Sequence, residues 1–132
     1  MILTGDSVNV GANSSIIIDF LTKPSNLEYL LPMEKVKDFV SDETSCSFKV
    51  QGGFIIALVQ DGSEEGKVFL RSGEKSPFPF KLAIHLVEQE EKKTDVHIEF
   101  DGEVNAFLKM MVEKPLLSLF NYMSNKLSKH FS

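Results

Sequence analysis

Three histidines (His85, His97, His130) and one cysteine (Cys46) are the side chains of this 132-residue chain best suited to acid–base or nucleophilic chemistry. A general base needs an imidazole in a cleft beside a group that orients it. His85 belongs to a run in which Phe80, Leu82, Ile84 and Leu86 alternate with Lys81, Ala83, His85 and Val87. His97 alternates in the same way with Val96, Ile98 and Phe100. A strand sends successive side chains to opposite faces, so both histidines fall on the wet face, away from the apolar rows. Pairing of the two runs through the Glu90-Glu91-Lys92-Lys93 turn would make the imidazoles neighbours. Two histidines are an incomplete set, since catalytic zinc normally takes three protein ligands. Cys46 shares a face with Phe48 and Val50, where a thiol behaves as a small hydrophobe, and no histidine lies on that face to activate it. Gly52-Gly53 is a hairpin turn, because no Lys-Ser/Thr pair follows to make a phosphate loop. There is no Gly-x-Ser-x-Gly, and no acidic pair precedes a Thr-Gly-Thr loop, so hydrolase and phosphoribosyltransferase chemistry have no support.

The elements that carry these residues follow from periodicity. Thr4 to Val10 reads as a first strand. Asn13 or Ser14 then caps a helix through Ile16, Ile17, Phe20 and Leu21, which Pro24 stops. Ser25-Asn26-Leu27-Glu28 has the spacing of a capping box, opening a second short helix that Pro32 closes. Alternation then takes over. Strands are expected at Val36–Val40, Ser45–Val50, Phe54–Gln60 and Val68–Ser72. The turns between them fall at Asp42-Glu43, Gly52-Gly53 and Asp61-Gly62-Ser63. Ser76-Pro77-Phe78-Pro79 marks a turn or a sheet edge. The Phe80 and Val96 runs form a long hairpin. Asn105 caps a terminal helix reaching Phe131, roughly 40 Å long at 1.5 Å per residue. Meandering strands followed by a terminal helix make an α+β domain with one antiparallel sheet of seven strands.

Composition narrows the partners. Forty-two per cent hydrophobic and 25% charged residues suit one globular domain spanning residues 1–132. Eleven Phe against two Tyr and no Trp indicate a large apolar interior and not a stacking surface. With 19 acidic and 14 basic residues and a net charge of −5, the chain has no basic footprint for nucleic acid. No Lys/Arg run suits an anionic membrane, and no apolar run spans one. A single cysteine sets up no disulfide framework. No basic segment followed by an apolar stretch opens the chain, so a cytoplasmic location is the expectation.

The residues from Asn13 to Pro32 resemble the elbow of the START-like (SRPBCC, helix-grip) superfamily. This is a capped helix, a Phe-Leu-x-Asp-Pro-x-x-Leu corner and a short helix ending in proline. Lys23 stands where the family prefers Asp. The long terminal helix is the second shared feature. Cys46-Ser47-Phe48 and Val112-Glu113-Lys114-Pro115-Leu116 look most like short bacterial members related to polyketide cyclases and CoxG-like proteins. The resemblance implies a curved sheet gripping the helix, with two short helices after the first strand. It also implies a cavity between sheet and helix for an apolar small molecule or lipid, with no cofactor. It implies no reaction, since fold does not fix function. Binding is favoured over cyclase- or hydratase-type catalysis and over a ligand-free interaction role, because almost no acid or base points inward.

Candidate cavity residues are Phe48, Phe54, Ile56, Phe80, Leu82, Ile84, Ile98 and Phe100 from the sheet, with Phe107, Met110, Met111, Leu116 and Phe120 from the helix. From Leu116 onward the helix carries one clean apolar stripe. Before Pro115 the phase is lost, and a kink is expected there. Either the kink buries Phe107, Met110 and Met111, or these form an exposed patch marking a cavity mouth or a homodimer surface.

Overall fold

The computed structural model describes all 132 residues. Its strands are β1 (Ile2–Thr4), β2 (Val8–Val10), β3 (Lys37–Ser41), β4 (Ser45–Lys49), β5 (Ile55–Glu64), β6 (Lys67–Ser72), β7 (Phe80–Glu90) and β8 (Lys93–Gly102). Helix α1 (Ser14–Leu21) and a 3-10 helix (Pro24–Tyr29) follow β2, and α2 (Ala106–His130) ends the chain. All pairings are antiparallel, in the order β1-β8-β7-β6-β5-β4-β3, with β2 also on β8. The α+β architecture is the expected one, a curved sheet around a long helix, with eight strands in place of seven.

The extra strand comes from a break in the first one. β1 pairs with Glu99–Asp101 and β2 with Thr94–Val96, so the two pieces share one edge of β8. Between them Gly5 donates its N–H to the Ile98 carbonyl at 2.8 Å, and Asp6 N–H reaches Asn121 Oδ1 of α2 at 2.8 Å. A Cβ on Gly5 would stand 3.1 Å from that Oδ1 and 3.6 Å from Phe120 Cβ. The break therefore lets α2 pack close against the edge.

Other local expectations shift for identifiable reasons. Ser25 does not cap the second helix. Pro24 occupies its first turn, where a missing N–H costs nothing, and Lys23 precedes it. Asn13 is the N-cap residue of α1 but its side chain caps nothing there; its Oδ1 accepts Lys92 N–H at 2.7 Å, tying α1 to the β7–β8 turn. Asp61-Gly62-Ser63 lies inside β5 as a bulge, and the turn moves to Glu65-Gly66, with Gly66 at φ +80°. The third strand starts at Lys37, one residue late, and is irregular between Lys37 and Val40, with Asp38 at φ 57°. α2 is capped by Asn105, whose Oδ1 accepts Leu108 N–H at 2.9 Å, and it runs as a single helix through Pro115.

Alternation predicts the core well. Cys46, Phe48, Ile56, Leu58, Leu82, Ile84, Leu86, Val96, Ile98 and Phe100 are buried, while Lys81 is exposed. Their partners on α2 are Val112, Leu116, Leu119, Phe120, Met123 and Leu127. Thr94 continues the inward row of β8 and is fully buried; its hydroxyl donates to the Ala12 carbonyl at 2.7 Å.

Candidate functional site

The C-terminal half of α2 seals the concave face, and the space left is small. A void of about 10 Å³ lies between Phe48, Ile56, Leu58, Phe80, Leu82 and Phe100 of the sheet and Leu116, Leu119, Phe120 and Met123 of α2. A second void, also about 10 Å³, lies further along the helix. Leu21, Leu30, Ile84, Val96, Ile98, Met123, Ser124 and Leu127 surround it. Each has room for about one water molecule. Nine of the thirteen sequence-derived cavity residues therefore border these voids. They do so in a nearly filled interior, not a roomy cavity.

The other four lie elsewhere. Phe54 sits just before β5 and is half-buried beside the Gly52 turn. Phe107, Met110 and Met111 are exposed, at 71%, 85% and 56%. α2 does not bend to bury them; they form an apolar strip on its first two turns. The accessible space is a groove of about 340 Å³ one turn further on, beside Pro115. Its walls are Pro115, Ser118, Leu119 and Tyr122 of α2, Pro32, Lys35 and Val36 ahead of β3, and Val50, Gln51 and Gly52 after β4. Sequence reasoning missed this groove, whose walls come from two loops and a helix face that share no periodicity. The prolines at 32 and 115 were its only visible signal.

A larger depression, about 450 Å³, opens beside β3, β4, β5 and the Gly73–Lys75 loop. Asp42 is its conspicuous acid, but its Oδ1 is already engaged by Thr44 N–H at 2.9 Å, the Ser45 hydroxyl at 3.0 Å and Ser45 N–H at 2.8 Å. The Thr44 N–H and the Ser45 hydroxyl hold its carboxyl below the usual range. Asp42 is thus a turn-former. Cys46 borders the same depression but its side chain is buried. Burial pushes the thiol up to about 12, with Asp42 adding to the effect, so it is no nucleophile near neutral pH.

His85 and His97 are cross-strand partners, their rings stacked 4.6 Å apart at 8°. They face outward as the alternation requires, yet the stacking leaves both half-buried. His85 Nε2 lies 3.6 Å from Glu99 Oε1. Burial, then the neighbouring His85, lowers the His97 pKa against the opposing pull of Glu99. A histidine lowered in the folded state takes up its proton more readily when unfolded, so its destabilising effect is absent above about pH 6.5 and grows as pH falls toward the folded pKa. His97→Gln is therefore expected to flatten the decline in melting temperature between about pH 7 and pH 5. An unchanged slope would show that the pair does not titrate as described. His130 packs against Phe20, ring centroids 4.6 Å apart, far from the groove in sequence and in neighbours.

The geometry agrees with the comparisons. The family model for CoxG, the G-type component of carbon monoxide dehydrogenase, matches residues 7–132. The chain belongs to the CoxG family. Solved structures resembling this CoxG-family chain include a START superfamily protein from Mycobacterium smegmatis (13% identity, TM-score 0.74, covering 98% of this chain and 96% of that one). An uncharacterised protein from Bacillus thuringiensis is similar to the same degree (13%, TM-score 0.73, 99% and 98%). Truncated norcoclaurine synthase from Thalictrum flavum shares the fold at 17% identity (TM-score 0.71, 98% and 92%). Comparison with curated proteins finds no match. At these identities the likeness establishes the START-like fold. No helix of the chain is long and apolar enough to cross a membrane.

Proposed function

We propose that this CoxG-family domain binds or carries an apolar small molecule or lipid, taken up through the groove beside Pro115. The observation that carries this reading is the position of Leu119, which lines both the groove and the apolar void behind it. Only one side chain separates solvent from an interior walled by Phe, Leu, Ile and Met. Binding sites of this kind are concave and mostly apolar, with few polar groups. The exposed strip of Phe107, Met110 and Met111 lies on the same helix and supplies an adaptable lip, flexible Met suiting a site that re-forms around its ligand.

The test is titration with Nile red, an apolar solvatochromic dye. Leu119→Trp fills the groove and is expected to weaken binding at least tenfold. Met110→Gln with Met111→Gln is expected to weaken dye binding, or any dimerisation through this strip. Because both residues are exposed, the pair should alter stability by no more than about 0.5 kcal/mol each. Micromolar dye that fails to bind the wild-type protein would leave a filled core and no carrier. A cyclase-type reading rests on the likeness to norcoclaurine synthase. It would draw on Lys35 and Tyr122, the ionisable side chains lining the groove. Lys35→Met and Tyr122→Phe variants that bind dye normally but lose turnover of a candidate substrate would favour it.

A further inference from the structure

Three spaces lie in a row along one side of α2. Leu119 borders both the groove and the first void, and Met123 borders both the first void and the second. The row ends at Ser124. Its hydroxyl is the only polar side chain bordering either void; it is buried, and it has no hydrogen-bond partner. A buried hydroxyl without a partner loses its hydration and gains nothing. A water in the second void would find one polar neighbour there where it needs two or more. Alanine would suit this helical position better on every structural count.

We propose that groove and voids are the closed form of one tunnel, opened by rotamer changes of Leu119 and Met123. Ser124 is then the hydrogen-bonding end that recognises the single polar group of the ligand. This rests on the carrier reading of the groove and adds the ligand's chemistry to it. From Leu119 to Ser124 the helix rises roughly 7–8 Å, so the ligand is an extended or flat apolar body whose leading end carries one neutral hydroxyl or carbonyl. A carboxylate or ammonium does not fit, because nothing around the second void would compensate its charge.

The test compares naphthalene with 1-naphthol, two probes of nearly equal shape that differ by one hydroxyl. Wild-type protein is expected to bind 1-naphthol roughly threefold to tenfold more tightly, the range of one net hydrogen bond. Ser124→Ala is expected to bind the two equally, with naphthalene affinity unchanged and a melting temperature equal to or above wild type. In protein labelled with ¹³C at its methionine methyls, bound 1-naphthol is expected to give contacts to the Met123 methyl. Equal affinities in the wild type, or a preference that survives in Ser124→Ala, would overturn the role of Ser124 and leave the carrier reading intact. So would binding of Nile red with neither small probe. Bound 1-naphthol with no contact to Met123 would overturn the tunnel. Loss of both Nile red and naphthalene binding in the wild type would overturn carrier and tunnel together.

Discussion

Phe100→Ala is expected to destabilise the protein by about 3–5 kcal/mol, the range for emptying a packed aromatic site. Phe100 is completely buried. Its ring meets Phe80 edge-on at 5.3 Å, Phe78 edge-on at 6.2 Å and Phe120 of α2 at 5.9 Å. The adjacent void is only about 10 Å³, so truncation creates a new cavity instead of enlarging an existing one. Leu82, its partner across β7–β8, borders the same void and should cost about 2–5 kcal/mol as alanine. Urea denaturation reads both, the midpoint moving while its steepness stays constant. A loss under about 1 kcal/mol for Phe100→Ala would mean the ring already faces empty space, as in a roomy cavity.

Gly102→Ala tests the same packing from the opposite direction. Gly102 has no positive φ, so backbone strain is not at issue. A Cβ there would lie 2.6 Å from Phe100 Cζ and 3.3 Å from Phe80 Cβ. The Phe100 ring is held by the three aromatic neighbours named above and cannot move away freely, so the overpacking should cost about 1–3 kcal/mol. The two sites are in contact and must couple. In a Phe100→Leu background the struck ring edge is gone, and the added cost of Gly102→Ala should shrink toward zero. Strict additivity of the two changes would contradict the clash.

Much of this fold is legible from residue spacing, since a strand offers only two faces and a helix one stripe. The β7–β8 hairpin shows this best. Once Leu82, Ile84, Ile98 and Phe100 are assigned inward, His85 and His97 must face outward as neighbours, and they do. Where spacing misleads, a local signal has two physical uses and tertiary context chooses. Asn13 can cap a helix, but its oxygen instead accepts an N–H of the β7–β8 turn, remote in sequence. Gly62 can make a turn or a bulge, and the β6 pairing makes it a bulge. Pro115 can kink a helix, yet it stands in the groove wall of an unbroken one.

The candidate site divides along the same line. By itself the sequence determined that the interior would be apolar, which side chains would build it, and that no histidine or thiol would face it. Those follow from period and composition, which act over a few neighbouring residues. Only the tertiary structure decided how much of that interior is empty, because void volume is a difference between side chains brought together from across the chain. It also decided that Leu119, Met123 and Ser124 stand in line between groove and core. On the sequence Ser124 is one polar residue in a long helix; docking of α2 against Leu21, Leu30 and Ile84 is what buries its hydroxyl without a partner.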